Sequence, residues 1–361
     1  MKMASISGAC ALVFGSALAV PAAAQSSVTI SGILDVAVRR VSNDGVGSAN
    51  AVVSGSNSTS RLNVSVLEDL GGGLKAGATL EHGLMVDTGA VATADKFWDR
   101  RATVSLMDDR LGEARLGRDY VPSYSVWTRL DPFSYVGAAR SANLISATPT
   151  GPIKSAYGSA ANTTVRADNT VQWLLPSGLG GLEGGVMLAA GEGRDATAGR
   201  GRVVGARLGY SFGDVSIAAA QTETRNSLTT TGSFKDGVLG AQLQLAPVKL
   251  GLAWRTFKLA DSKQALLMAS ASSSFGAHEV KASWVRSNFS GRVGSTVIDA
   301  NDSTQLGLGY VYNLSKRTAL YGTLARISND GAAKVVVTDG PAGMAAGGTS
   351  KALEAGVRHR F

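Results

Sequence analysis

Charged side chains recur at alternate positions of several short segments, on the same side as serine and threonine. The residues at these positions are the basic Arg39, Arg61, Lys75, Arg101 and Arg115 and the acidic Asp35 and Glu81. Long side chains of one sign favour ions of the opposite sign where they line a water-filled passage, and arginine or lysine suits anions. These residues could therefore supply an electrostatic field. For each of them, a solvated charge or a structural ion pair is the alternative.

Histidine is the residue on which a hydrolytic or metal site would most often depend. His82 ends a segment beside Gly83, His278 lies in a short turn, and His359 lies near the C-terminus. Their spacing suggests neither metal ligation nor a nucleophile–base arrangement. We therefore predict a protein that is not an enzyme and needs no cofactor, with a membrane-barrel enzyme as the alternative.

The segments that carry these residues alternate apolar and polar side chains, which is the period-two pattern of strands with two different faces. In residues 304–312, for example, Leu306 and Leu308 fall on one side, and Gln305 and Gly307 fall on the other. The pattern alone leaves open which face meets water. A secreted β-sandwich, which buries its apolar faces against each other, therefore remains an alternative.

The connections between the segments alternate between short and long. The short ones are residues 67–74, 107–113, 175–181, 211–214, 245–248, 275–278 and 313–317, and the long ones include 42–60, 191–202 and 329–350. Short turns at one end and long loops at the other are typical of transmembrane barrels. We predict an all-β fold, a sixteen-stranded antiparallel transmembrane β-barrel, as a single domain over residues 25–361.

The first 24 residues have the pattern of a secretory signal peptide. Lys2 supplies a positive charge, residues 8–20 are apolar, and small residues precede a predicted cleavage after Ala24. The apolar run is shorter than the roughly 20 residues that a membrane-spanning helix needs. Cleavage would also remove Cys10, the single cysteine of the chain.

The overall charge is positive, at +8. The basic residues are not interleaved with aromatic residues in the way that nucleic-acid-binding proteins require. We therefore expect no nucleic-acid partner, and we attribute the charge to anionic solutes or anionic lipid.

Several segments together resemble the general porins of Gram-negative outer membranes, in the branch typical of betaproteobacteria. Residues 26–41 (SSVTISGILDVAVRRV) resemble the first strand of that family, and residues 68–90 resemble its second hairpin. Residues 97–106 and 111–124 are similar to the strands that lead into its inward-folded third loop. The terminal VRHRF, residues 357–361, matches its closing signature.

The resemblance implies a trimeric barrel in the outer membrane that carries small hydrophilic solutes. It also implies that Phe361 is an assembly signal, read by the barrel-assembly machinery. The alternative is that Phe361 is one more ring in the aromatic girdle at the membrane interface.

The resemblance also concerns Arg118. Strict alternation from Leu116 would point Arg118 outward, but Gly117 allows the backbone to depart from regular geometry. Because the corresponding arginine lines the constriction in the family, we expect Arg118 to face the pore.

The third loop is expected over residues 120–161, folded into the lumen. Asp119 and Asp131 would then face the basic wall and give the transverse field that the family has. Arg140 and Lys154 on the same loop would weaken the acidic side.

We therefore predict an outer-membrane porin with a preference for anions. The expected partners are two further copies of the chain in a homotrimer, outer-membrane lipid and lipopolysaccharide, and small anions. A solute-specific porin is the alternative, with a slide of aromatic residues around the third loop: Trp98, Tyr120, Tyr124, Trp127 and Tyr135.

Overall fold

The computed structural model describes residues 26–147, 149–159, 164–191 and 200–361. The predicted signal peptide, residues 1–24, lies outside these ranges, and so does the predicted cleavage position.

Within the described residues, the strands form one antiparallel sheet. In chain order they are β1 (Ser27–Asn43), β2 (Gly47–Ser54), β3 (Arg61–Gly71), β4 (Leu74–Met85), β5 (Ala90–Val91), β6 (Arg101–Asp108), β7 (Gly112–Tyr120), β8 (Arg166–Leu174), β9 (Leu182–Ala189), β10 (Arg202–Phe212), β11 (Val215–Arg225), β12 (Phe234–Leu245), β13 (Val248–Leu259), β14 (Ser262–Phe275), β15 (His278–Val293), β16 (Thr296–Val297), β17 (Ser303–Asn313), β18 (Thr318–Asn329) and β19 (Thr349–Arg360).

Sixteen of these strands form the wall, and the other three, β2, β5 and β16, extend hairpins at the loop end. The wall closes because β1 pairs with β19 on one side and with β3 on the other. The terminal residue completes the closure: the Gly32 N–H donates to the Phe361 carbonyl at 3.0 Å, and the Phe361 N–H donates to the Gly32 carbonyl at 3.1 Å. The predicted sixteen-stranded barrel is confirmed, and closure leaves no unpaired edge.

The apolar face of the strands is the outer face of the barrel. Val104, Leu308 and Leu353 are 63%, 58% and 55% exposed, and their strand neighbours Ser105 and Glu354 are buried inside. A ring of exposed aliphatic side chains is stable against hydrocarbon, where every backbone polar group must pair within the protein. The pattern excludes the soluble sandwich, whose apolar faces would be buried.

All seven predicted short connections join adjacent strands at one end of the barrel. The opposite end carries the long connections, with one exception. Between β13 and β14 only Ala260 and Asp261 remain, and Ala260 takes a positive φ of 49°. The alternation of short and long connections therefore holds except for the sixth connection at the long-loop end.

The third loop contains helix α1 (Pro122–Leu130), a 3₁₀ helix (Ser141–Leu144) and helix α2 (Gly151–Tyr157). Proline at the start of α1 and of α2 fits the first helical turn, where its missing N–H is not needed. Buried apolar side chains of this loop pack against the inner faces of β11 to β15, so the loop lies inside the barrel. None of the helices in the described ranges has the length and apolar composition that crossing a bilayer would require.

The terminal ring packs over Gly32, where a side chain cannot fit. A Cβ at Gly32 would lie 2.7 Å from Phe361 Cε1 and 2.9 Å from the Arg61 carbonyl oxygen, whereas a Cβ at Gly322 would meet nothing closer than 3.6 Å. We expect Gly32→Ala to destabilise the barrel by about 1–3 kcal/mol because of overpacking. Gly322→Ala is the matched control. The test is the urea concentration at which half of the protein loses the heat-modifiable gel migration of a folded barrel. Equal midpoints for Gly32→Ala and Gly322→Ala would contradict the stabilising packing of Phe361 over Gly32.

Candidate functional site

The lumen is lined on one side by five arginines. These residues, named here the basic wall, are Arg61, Arg100, Arg101, Arg115 and Arg166. They come from β3, β6, β7 and β8 and from the residue before β6. Three of them, Arg61, Arg101 and Arg115, are predicted pore residues that the structure brings together.

Asp119 holds two arginines of the basic wall in place. Arg101 donates to both carboxylate oxygens of Asp119 at 3.1 and 3.0 Å, and Arg115 donates to one of them at 2.7 Å. The Asp119 side chain is buried beneath these guanidinium groups, while the side chain of Arg101 keeps 27% of its surface exposed. The acid therefore orients the cations, on the same wall rather than across the pore.

A second acid, Glu81, organises the rest of the basic wall. Its carboxylate accepts a hydrogen bond from Arg100 and lies 3.6 Å from Arg61. The Tyr120 hydroxyl accepts from Arg100 at 2.9 Å and from Arg166 at 3.2 Å, and the Arg166 guanidinium lies 4.6 Å from the centre of the Tyr120 ring. Such shared partners keep long arginine side chains in one arrangement, so the positive charge stays at the lumen surface.

Arg39 is placed elsewhere, in a buried ion-pair network. It is 4% exposed and lies opposite Glu354 in the β1–β19 ladder. Its guanidinium lies 2.7 Å from Glu354 and 2.6 Å from Asp339. Arg39 therefore forms a structural ion pair, which was one of the alternatives for each basic residue. Lys75 lies at the short-turn end, 3.2 Å from Asp109.

The side chain of Asp35 points into the barrel and holds the short connection between β2 and β3. Its carboxylate accepts the backbone N–H groups of Ser56, Asn57 and Ser58 at 3.0, 3.1 and 2.8 Å. The Tyr321 hydroxyl donates to it at 2.5 Å. With its surface fully covered, Asp35 shapes the lumen rather than meeting the permeating solute.

Arg118 lies apart from the basic wall. Gly117 has a φ of +123°, and the register between β7 and β8 shifts at this point. Arg118 lies opposite Ala102 in β6, on the face of the strand that looks away from the lumen cluster. Its side chain donates to the Asp99 carbonyl at 2.7 Å and pairs with Asp168. The irregular backbone that we predicted is present, and it leaves Arg118 beside the connection between β5 and β6 rather than facing the pore as expected.

Asp131 accepts several hydrogen bonds from other residues of the third loop. The Ser141 hydroxyl donates to its carboxylate at 2.6 Å, and the backbone N–H groups of Phe133, Tyr135 and Ser141 donate at 2.9, 3.2 and 3.3 Å. Burial raises the pKa of the Asp131 carboxyl above its ordinary value, and these hydrogen bonds oppose the rise. The carboxyl of Asp131 is therefore enclosed within the third loop and does not line the passage.

Two further arginines, which sequence reasoning missed, border the lumen next to the basic wall. Arg129 of α1 pairs with Glu183 of β9 and keeps 43% of its side-chain surface exposed. Arg207 of β10 borders, with Arg129 and Gln172, a cavity of about 200 Å³ that also touches the basic wall. Arg207 alternates with the outward Leu208, so strand parity could have identified it, whereas no local signal distinguishes Arg129.

Together these groups make the lumen net positive. The guanidinium groups are Arg61, Arg100, Arg101, Arg115, Arg129, Arg166 and Arg207, and the carboxylates among them are Glu81, Glu113, Asp119 and Glu183. Seven cations therefore face four anions. The two acids of the predicted transverse field, Asp119 and Asp131, are buried, so this geometry shows an excess of positive charge instead.

The aromatic residues near the third loop pack mainly against each other. The Tyr120 and Tyr124 rings stack at 5.2 Å, and Tyr135 meets Tyr124 edge-on at 5.3 Å. Trp127 is fully buried and donates its indole N–H to the Ser141 hydroxyl. In the part of the chain that the structure describes, no group of three histidine, cysteine or acidic residues is placed to hold a metal ion.

Comparisons with known proteins agree with this geometry. Residues 8–332 match the family model described as Gram-negative porin. Outer membrane porin protein 32 of Delftia acidovorans is 36% identical, over 94% of this chain and 95% of its own length, and an outer membrane porin of Bordetella pertussis is 25% identical over 94% and 96%. The solved structure of an anion-selective porin from Comamonas acidovorans superimposes with a TM-score of 0.75 at 34% identity, over 93% of this chain and all of that one. The chain is thus a member of the Gram-negative porin family, an outer-membrane channel and not an enzyme.

Proposed function

We propose that this porin passes small hydrophilic solutes and conducts anions in preference to cations. The observation that carries the proposal is the excess of guanidinium groups over carboxylates at the lumen surface, together with the burial of Asp131. An anion in the passage would meet guanidinium groups that neighbouring carboxylates hold in position. These arginine side chains would not have to rearrange when the anion passes.

Similarity supports the same preference. The Comamonas acidovorans protein with a similar structure is an anion-selective porin, and it is 34% identical to this chain. At that level of identity a shared selectivity is reasonable, and the charge distribution of this lumen gives it a physical cause.

The reversal potential in a salt gradient tests the proposal. The folded protein would be inserted into a planar bilayer of neutral lipid between 0.1 and about 0.01 M KCl, where the Debye length is about 10–30 Å and the fixed charges are weakly screened. We expect the sign that corresponds to chloride permeation. A potential of the opposite sign would refute the proposal.

The remaining proposals concern maturation and assembly. They rest on the N-terminal pattern and on membership of the porin family. We infer that the chain is cleaved after Ala24, inserted by the barrel-assembly machinery through Phe361, and assembled as a homotrimer among outer-membrane lipids. The mass of the mature protein and the mass of its native complex test the first and the last of these steps.

A solute-specific channel is the second candidate, and the stacked rings of Tyr120 and Tyr124 favour it. These two rings can offer apolar surface to a permeating solute beside the positive charge of Arg166. Saturable transport of one solute class in liposomes would favour this candidate, whereas rates that follow only charge and size would favour the general channel.

A further inference from the structure

The last long connection of the barrel, residues 330–348 between β18 and β19, contains a stretch of chain that alternates like a strand but belongs to none. We name residues 333–337 (AKVVV) the extended segment. Every second side chain, from Ala333 to Val337, is buried, whereas Lys334 is exposed. This period of two is that of an extended chain. Within the described residues, no strand pairs with the segment.

One edge of the extended segment is hydrogen-bonded to the barrel wall. The Val335 N–H donates to Asn329 Oδ1 at 3.0 Å, and the Val335 carbonyl accepts from Asn329 Nδ2 at 2.9 Å. The Val337 N–H donates to the Ser350 hydroxyl at 3.1 Å. The side chains of Val335 and Val337 belong to one buried cluster with Phe133 of the third loop. The wall and the third loop therefore hold the segment in position.

The backbone groups on the other edge of the extended segment are free. Neither the N–H nor the carbonyl of Lys334 and of Val336 has a hydrogen-bond partner in the part of the chain that the structure describes. Alternate residues of an extended chain point these groups to opposite sides, so the two residues share the edge that faces away from Asn329 and Ser350. Such an unpaired edge is a template for a further strand.

A cavity of about 220 Å³ lies beside the extended segment. Its apolar lining comes from the third loop, from β15 and the connection after it, and from the last long connection: Gly151, Phe289, Ile298, Ala332 and Val335. Ala332 is exposed, so the cavity opens to solvent. A cavity of about 150 Å³ with an aliphatic and aromatic lining can hold a benzene ring. This one is therefore large enough for a bulky apolar side chain.

Charge at the cavity favours an acidic ligand. The exposed Lys334 borders the cavity and forms no ion pair with any residue in the described ranges. Asp302, next to the lining residue Asn301, accepts from the Phe289 N–H at 3.1 Å and from Arg286 at 3.4 Å, so its charge is compensated. The ammonium of Lys334 is thus available to a carboxylate from outside the chain.

We propose that the extended segment and the cavity bind an acidic peptide in extended conformation, with one bulky apolar side chain. The peptide backbone pairs with the free edge at Lys334 and Val336, the apolar side chain fills the cavity, and a carboxylate pairs with Lys334. In such strand addition, the main chain supplies affinity and pockets for alternate side chains supply specificity. The long loops of outer-membrane barrels are extracellular, so the peptide comes from outside the cell. The site shares no residue with the basic wall, and it goes beyond the proposed conduction of anions.

The probe is a capped pentapeptide, acetyl-ETFTE-amide, whose glutamates and phenylalanine fall on one face of a strand. Its binding to the folded protein in neutral detergent would be measured by isothermal titration calorimetry. We expect a dissociation constant below about 1 mM. The peptide ETATE should bind at least about tenfold more weakly, because it buries no ring. ETFTE with methylated backbone nitrogens should bind at least about fivefold more weakly, because it cannot donate to the free edge.

Two variants of Val336 isolate the backbone edge. Val336→Pro removes an N–H that has no partner within the described residues, and Val336→Thr keeps this N–H with a branched side chain of similar shape. We expect the proline variant to bind ETFTE at least about fivefold more weakly, and the threonine variant to bind it as the unaltered protein does. Heat-modifiable migration on a gel verifies that both are folded. Equal affinity of the two variants would overturn the proposal.

A variant of Ala332 tests the cavity without relying on proline. Ala332→Phe fills the cavity from its exposed side, so it should bind ETFTE and ETATE equally. A preference for ETFTE that survives in Ala332→Phe would overturn the proposal. So would a lack of ETFTE binding by the unaltered protein at about 1 mM. Octanoate that displaces ETFTE and binds equally to Val336→Pro would also overturn it, in favour of an acyl chain.

The neutral peptide acetyl-QTFTQ-amide separates this site from the electrostatics of the pore. It should bind only about threefold more weakly than ETFTE, because an exposed ion pair contributes little. Reversal potentials should be unchanged in Val336→Pro and in Ala332→Phe. A channel that prefers cations would therefore refute the proposed conduction and leave the peptide site standing. If QTFTQ did not bind at all, attraction to the positive lumen would account for the binding of ETFTE, and the peptide site would be refuted.

Discussion

Neutralising Arg61, Arg101 and Arg129 together should remove most of the anion preference of the channel. The triple glutamine variant leaves four guanidinium groups facing four carboxylates in the lumen. An anion about 8 Å from one unit charge gains about 0.5 kcal/mol in water, so three charges supply about 1.5 kcal/mol, or roughly a tenfold enrichment of anions. We therefore expect the permeability ratio of chloride to potassium to fall about tenfold.

The control for this triple variant is a matched loss of charge on the outside of the barrel. Lys258→Gln, Arg326→Gln and Lys351→Gln change the net charge by the same amount, on residues that face away from the lumen. Reversal potentials at 0.1 M salt should distinguish the two variants, because the Debye length is then about 10 Å. A similar fall in both variants would show that the net charge of the protein, rather than the lumen charge, sets the preference.

Strand parity explains why much of this architecture could be predicted from the sequence. One face of a barrel wall meets lipid and the other meets water, so the strands show the period-two pattern. The short turns at one end are a second signal of the same fold. The same rule places Arg61, Arg101 and Arg115 on the inner face. The same rule places Arg39 on the inner face. Strand parity predicts the face on which a side chain lies, but it does not predict which residue pairs with that side chain.

The surroundings of the inner charged residues depend on contacts that strand alternation does not report. Arg39 is neutralised by Glu354, which is 315 residues further along the chain. The charge of Asp131 is covered by Ser141 through the local path of the third loop, which has no repeating pattern. Alternation cannot report either contact, so the sequence predicts an inner charged face more reliably than it predicts which charges meet the solute.

One buried ion pair of the wall contacts the third loop near both of its ends. Arg255 donates to Asp236 at 2.9 and 2.7 Å, and their side chains are 0% and 3% exposed. The Ser123 hydroxyl near the start of the loop donates to Asp236 at 2.6 Å, and the Thr164 carbonyl near its end accepts from Arg255 at 3.4 Å. The Arg255 guanidinium also lies 5.7 Å from the centre of the Trp127 ring system. Both ends of the loop therefore contact this pair.

Asp236→Ala should release the loop without unfolding the barrel. Removing one partner of a buried ion pair costs about 3–5 kcal/mol, because the other charge stays buried without compensation. The strand ladders are left intact, so we expect normal heat-modifiable migration, together with faster hydrogen exchange over residues 122–130 and unstable single-channel currents.

The double variant Asp236→Leu/Arg255→Met separates the ion pair from the anchoring of the loop. It removes both charges and keeps apolar volume, so the barrel should regain stability, since such replacements are often neutral. The acceptor of the Ser123 hydroxyl is still missing in this variant, so the start of the loop should stay loose and the currents should stay unstable. If Asp236→Ala instead gave quiet currents and slow exchange in α1, the loop would be held by its apolar packing against β12 and β13, and the ion pair would have no part in setting the aperture.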